Sequence, residues 1–102
     1  MHLITRKRIV AFGRKHPRAK PFLSAWQNVV VRARWESIDD VRKSYPHADA
    51  VSVASDRTVT VFNVGGGNFR MITAIHYNRQ KVFVLMLLTH AEYSTDRWKG
   101  QL

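Results

Sequence analysis

The chain has no cysteine among its 102 residues. That excludes a disulfide scaffold, a thiolate zinc site and a cysteine nucleophile, and it fits a reducing compartment. Acids are scarce as well: seven Asp and Glu stand against seventeen Lys and Arg, for a formal charge of +10. No histidine pair has ligand spacing with carboxylate support, so neither a metal nor any other cofactor is expected. The start, Met1-His2-Leu3-Ile4-Thr5-Arg6, lacks an apolar signal core. The longest apolar run, Val82 to Leu88, is far too short to cross a bilayer. The expectation is a soluble cytoplasmic protein with no membrane partner.

What is present is enough apolar residue, 45%, for one compact core, and the length suits a single domain over residues 1–102. The positive charge is uneven. Residues 1–35 carry Arg6, Lys7, Arg8, Arg14, Lys15, Arg18, Lys20, Arg32 and Arg34, with no acid before Glu36. Such a field favours nucleic acid, ribosomes or an acidic partner.

Periodicity orders the elements. Thr5 is placed to cap a helix over residues 6–14, with Ile9, Val10 and Phe12 as its apolar positions. A second helix over 18–34 carries one stripe of Ala19, Phe22, Leu23, Trp26, Val29, Val30 and Ala33. The short connection predicts an antiparallel helical hairpin. Ser37-Ile38-Asp39-Asp40 resembles a capping box opening one or two turns before Pro46. From there the period becomes two. Strands are predicted at 51–54, 58–63, 69–77 and 82–89, the last three as an antiparallel meander. The strand at 82–89 is apolar on both faces, so both must be covered, one by the helices and the other by a C-terminal helix, a partner or both. The tail 97–102 reads as frayed. The fold class is α+β: an N-terminal helical hairpin on a small antiparallel sheet with a short C-terminal helix.

Two stretches carry chemistry. Asn63-Val64-Gly65-Gly66-Gly67-Asn68-Phe69-Arg70 is a strand end, a glycine turn and an arginine one residue into the next strand. By alternation Arg70 shares a face with Ile72, Ala74 and His76. It either pairs with a carboxylate such as Glu92 or binds a phosphate. Thr89-His90-Ala91-Glu92-Tyr93 follows the apolar strand, with Thr89 and Glu92 as a capping box. His90 is a titratable group near neutral pH. Tyr93, three residues on, packs in the core, stacks on a base or donates a proton. A fixed cation, an imidazole and a phenol are the groups that metal-free RNA cleavage asks for. The competing reading is a non-enzymatic RNA- or ribosome-binding module, which separates from the first on whether Arg70, His90 and Tyr93 converge. A DNA-binding protein is disfavoured, because no helix-turn-helix with an exposed recognition helix is apparent.

These two stretches, with the opening Met1-His2-Leu3-Ile4-Thr5 and with Tyr45-Pro46 before the sheet, resemble the HigB-type toxins of bacterial type II toxin–antitoxin systems. The resemblance runs along nearly the whole chain; Gly67 is an extra residue relative to the usual two-glycine turn. It implies a RelE-like fold and an mRNA endoribonuclease acting on ribosome-bound message. It also implies a HigA-like helix-turn-helix antitoxin, through which alone the protein would meet DNA. Carried onto this chain, the catalytic residues are Arg70, His90 and Tyr93. The residues expected to bind RNA are Lys7, Arg8, Arg14, Lys15 and Asn68.

Overall fold

A computed structural model describes residues 1–4 and 6–102. Thr5, and with it the expected cap of the first helix, lies outside the described residues. In chain order the elements are β1 (His2–Ile4), α1 (Arg6–Lys15), a 3-10 turn (Pro17–Ala19), α2 (Lys20–Arg32), α3 (Ile38–Ser44), β2 (Asp49–Ser52), β3 (Thr58–Val64) and β4 (Phe69–His76). A second 3-10 turn (Tyr77–Arg79), β5 (Lys81–Thr89), α4 (His90–Ser94) and a final 3-10 turn (Arg97–Gln101) complete it.

The α+β class holds, and one strand is added. The sheet has five strands in the order β1-β5-β4-β3-β2. The meander β3-β4-β5 is antiparallel as expected. β1 pairs parallel with Lys81–Phe83, so the sheet is mixed rather than purely antiparallel. Three residues are too few to show a period in sequence, and their partner lies near the other end of the chain.

On one face, α1 and α2 cover Phe62, Val64, Met71, Val82 and Val84. Leu23, Trp26 and Val30 of the predicted α2 stripe are buried, and Trp26 is 0% exposed as a core residue. Val10 departs from the expected apolar face of α1: it is 52% exposed, while Ile9 and Phe12 point inward. The helices meet close to their joint, where a Cβ on Gly13 would lie 3.2 Å from the Lys20 side chain. At α3, Ser37 occupies the cap position but its hydroxyl makes no cap. The Asp40 carboxylate instead accepts from the Glu36 N–H at 2.9 Å.

The second face holds its own cluster: Val53, Val59, Val61, Ile72 and Trp98, with Leu85, Met86, Leu88, Tyr93 and Leu102 against it. β5 supplies both faces through a bulge. Ile72 pairs with Met86 and Thr73 with Val84, which leaves Leu85 without a partner. An extra residue in one strand shifts the alternation by one. Val84 and Leu87 therefore face the helices, while Leu85, Met86 and Leu88 face away. Past Phe83, β5 has no β1 neighbour. There the Arg8 guanidinium donates to the Val84 carbonyl at 3.1 Å and to that of Leu85.

The C-terminal tail is not frayed. It forms the final 3-10 turn, Trp98 is 3% exposed, and its indole N–H donates to the Tyr93 carbonyl at 3.1 Å. Replacing Trp98 with Ala should cost about 3–5 kcal/mol through the cavity it leaves, read as a drop in the denaturation midpoint. An unchanged midpoint would mean that the second cluster contributes little to stability.

Candidate functional site

The glycine turn between β3 and β4 puts three consecutive residues at positive φ: Gly65 at 61°, Gly66 at 68° and Gly67 at 95°. Side chains resist that region, which is why the sequence carries glycine there. Asn68 closes the turn with its carboxamide nitrogen on the Gly65 carbonyl at 3.0 Å. Its own carbonyl accepts from the His90 backbone N–H at 2.9 Å. The turn and the start of α4 are thereby tied together, as the β4–β5 register requires: Phe69 lies opposite Thr89, and Arg70 opposite Leu88.

Arg70 is half-buried and lies on the face of Ile72, as alternation predicted. One guanidinium nitrogen, Nη1, donates to the carbonyls of Gly67 at 2.6 Å and Phe69 at 3.1 Å. The guanidinium carbon sits 5.4 Å from the centre of the Tyr93 ring, a cation–π distance. Tyr93 in turn stacks on Trp98 at 5.3 Å and 19°. Among the described residues no carboxylate pairs with Arg70, and its Nε and Nη2 have no partner within the chain. The alternative of an Arg70–Glu92 ion pair is thereby removed.

Glu92 is committed elsewhere. Its carboxylate accepts from the Thr89 N–H at 2.9 Å, and its own N–H donates to the Thr89 hydroxyl at 3.2 Å, the reciprocal capping box that the sequence predicted. The Thr89 bond leads in holding the Glu92 carboxyl below its usual range, with Lys15 and His16 adding positive charge nearby.

Of the three expected catalytic residues, Arg70 and Tyr93 are brought together. His90 is exposed and attached to the same turn through its backbone. Among the described residues, no hydrogen bond or ring contact joins its imidazole to either of the other two. Of the expected RNA-binding residues, Lys7, Arg14 and Lys15 are exposed on α1. Arg8 is also exposed, but its guanidinium holds the bulge of β5, and the Asn68 carboxamide holds the glycine turn. Sequence reasoning missed Trp98 as the support beneath Tyr93; the signal available was one large aromatic in a charged tail. Among the described residues, no three His, Asp or Glu side chains are grouped as metal ligands. No helix among them is long and apolar enough to cross a membrane.

Comparison with known proteins now bears on the site. Residues 19–96 match the profile of HigB_toxin, described as the RelE-like toxic component of a toxin–antitoxin system. The chain belongs to the HigB toxin family. It is 29% identical over 105 aligned positions to the mRNA interferase toxin HigB of Escherichia coli K12, covering 99% of both chains. Similarity to the mRNA interferase HigB of Shigella flexneri is the same. The mRNA interferase HigB of Escherichia coli O6:H1 is 27% identical over 93 positions, covering 91% of this chain and 88% of the relative. As a member of this family, the chain is the toxic half of a two-component system and has an antitoxin for a partner.

The α4 capping box sets a pH dependence. The Glu92 carboxyl titrates lower in the fold than its unperturbed value of 4.5. Its contribution is therefore complete above that value and is lost as pH falls through the depressed folded value. The protection factor of the Thr89 amide, which donates to that carboxylate, should fall below about pH 4.5. Glu92→Gln, which retains a neutral cap, should remove that component; an identical acid response in the variant would assign it to another group.

Proposed function

We propose that this toxin is an endoribonuclease that cleaves mRNA without a metal ion. The observation that carries the reading is the Arg70 guanidinium, fixed at one nitrogen by two carbonyls and at its face by Tyr93, with its remaining donors unpartnered. Transesterification of RNA needs little more than such a group and proton transfer. The 2′-hydroxyl oxygen attacks the adjacent phosphorus, and the bond to the 5′-oxygen of the next nucleotide breaks. The products are a 2′,3′-cyclic phosphate and a 5′-hydroxyl.

Negative charge grows on the phosphorane oxygens, and a preorganised cation at that place lowers the barrier. Arg70 supplies it. His90, exposed beside the glycine turn, takes the proton from the 2′-hydroxyl or returns one to the leaving oxygen. Tyr93 holds the guanidinium from below and presents its phenol as the complementary proton donor or its ring to a base. The exposed Lys7, Arg14 and Lys15 of α1 bind the phosphate backbone of message or ribosomal RNA. The names of the relatives, mRNA interferases, support this reading. The antitoxin is HigA-like, with a helix-turn-helix domain that gives the pair its only route to DNA. The toxin acts in the cytoplasm, on ribosome-bound message, and residues 1–102 act as one domain.

Arg70→Ala should slow cleavage of a defined message by about 10²–10³-fold and relieve growth arrest, with the circular dichroism spectrum unchanged. The ends produced by the unsubstituted protein should be 2′,3′-cyclic phosphate and 5′-hydroxyl in excess chelator, with ribosome integrity checked separately. A folded Arg70→Ala protein of full potency would instead favour a toxin that blocks ribosomes by binding alone.

RNA affinity should fall steeply with salt, since each neutralised phosphate releases counterion. The combination Lys7→Ala, Arg14→Ala and Lys15→Ala should flatten that slope by up to about three units. Arg8 is left in place because it holds the β5 bulge. An unaltered slope in the triple variant would move the RNA contact off α1.

A further inference from the structure

A second cleft lies on the other side of the glycine turn from the Arg70 side chain. It has a volume of about 420 Å³, and its lining includes Phe22, Tyr45, His47, Phe62, Asn63 and Gly67. It shares two residues with the Arg70 site. Gly67 lines the cleft, and its carbonyl is the one that holds the guanidinium. Asn63 lines it too, and stands directly opposite Arg70 in the β3–β4 register. The two sites therefore meet at Gly67, at the end of the β3–β4 pair.

The walls suit a flat aromatic guest. The Tyr45 ring is already fixed, edge-on to Phe62 at 5.4 Å and 87° and tilted against Phe22 at 6.0 Å, so no side chain must be ordered on binding. Burial pushes the Tyr45 phenol up, so it stays protonated and remains a donor. Among the described residues, the Tyr45 hydroxyl and the His47 imidazole make no hydrogen bond within the chain. On Gly66, which also lines the cleft, a Cβ would meet nothing within 4 Å, so the mouth is open there. Aromatic walls with a few unpaired donors and acceptors are what a nucleobase uses: stacking for affinity, edge bonds for selection.

We infer that this cleft is a nucleobase subsite that seats one unpaired base next to the scissile phosphate, with Tyr45 as its wall and His47 as a selecting edge. The inference rests on the ribonuclease reading for what lies at Arg70. It concerns which RNA positions the toxin prefers rather than how the bond breaks, and Tyr45 and His47 are accordingly binding residues.

Two variants leave the fold intact: His47→Ala, at an exposed residue without an internal partner, and Tyr45→Phe, which keeps the packed ring. Two measurements are made on each. The first uses short, fully 2′-O-methylated RNA carrying a single 2-aminopurine, which cannot be cleaved. Binding of the unsubstituted protein should quench the fluorescence, and His47→Ala should remove most of that quenching. The second sequences the 5′ ends cut from message on ribosomes. The base preference at one position beside the cut should weaken roughly tenfold in His47→Ala, and less in Tyr45→Phe. Quenching and cut-site base distribution identical across all three proteins would overturn the subsite and leave the ribonuclease standing. If the unsubstituted protein cuts no RNA, the ribonuclease reading fails and quenching alone decides: present and dependent on His47, the subsite is upheld; absent, it is lost.

Discussion

Strand β5 carries apolar side chains toward both sides of the sheet, and each side must be taken out of water. On one side Val82 and Val84 meet α1 and α2; on the other Leu85, Met86 and Leu88 meet the tail. A sheet covered on one side alone would expose that second set, at roughly 25 cal/mol for each Å² of apolar surface. Trp98 is the residue that closes the second face, and it reaches there only because α4 turns the chain back over the sheet. The contact that buries Trp98 also stacks it on Tyr93, and Tyr93 lies against Arg70. Stability of the second face and orientation of the cation are one arrangement.

The bulge at Leu85 is what allows a single strand to serve both layers. Without it, Val84 and Met86 would share a face, and so would Leu85 and Leu87. An extra residue disrupts the ladder locally and bends the strand. Arg8 braces it there, donating to the carbonyls of both Val84 and Leu85. A cation that by charge alone belongs with the RNA-binding face thus secures the geometry of the strand leading to His90.

Much of this was readable from residue order. The stripe of α2 and the faces of β4 follow from spacing, and Arg70 landed on the face that alternation gave it. The approach of Arg70 to the start of α4 follows from a strand beginning and a strand end in one hairpin. Other features have no local signature. The strand His2–Ile4 is shorter than any period and pairs with the far end of the chain. Val10 is apolar yet exposed, because only one side of a ten-residue helix meets the sheet. Trp98 lies in a charged tail whose order depends on the uncovered face of β5. The cleft at Tyr45 and His47 requires the connection after α3 to meet the glycine turn, a long-range contact that no spacing encodes.

The use made of Glu92 ties these constraints to chemistry. A half-buried arginine needs compensation, and a carboxylate two residues from His90 would be the ordinary source. Had Glu92 paired with Arg70, an incoming phosphate would have to displace a charged partner before gaining the cation. The capping box prevents this, because both the carboxylate and the N–H of Glu92 are held by Thr89. Arg70 is compensated instead by two neutral carbonyls and the face of an aromatic ring. Those partners fix its position while leaving its full charge for an anion. A cation held in place by neutral groups is preorganised for a developing negative charge, whereas one held by a carboxylate is already neutralised.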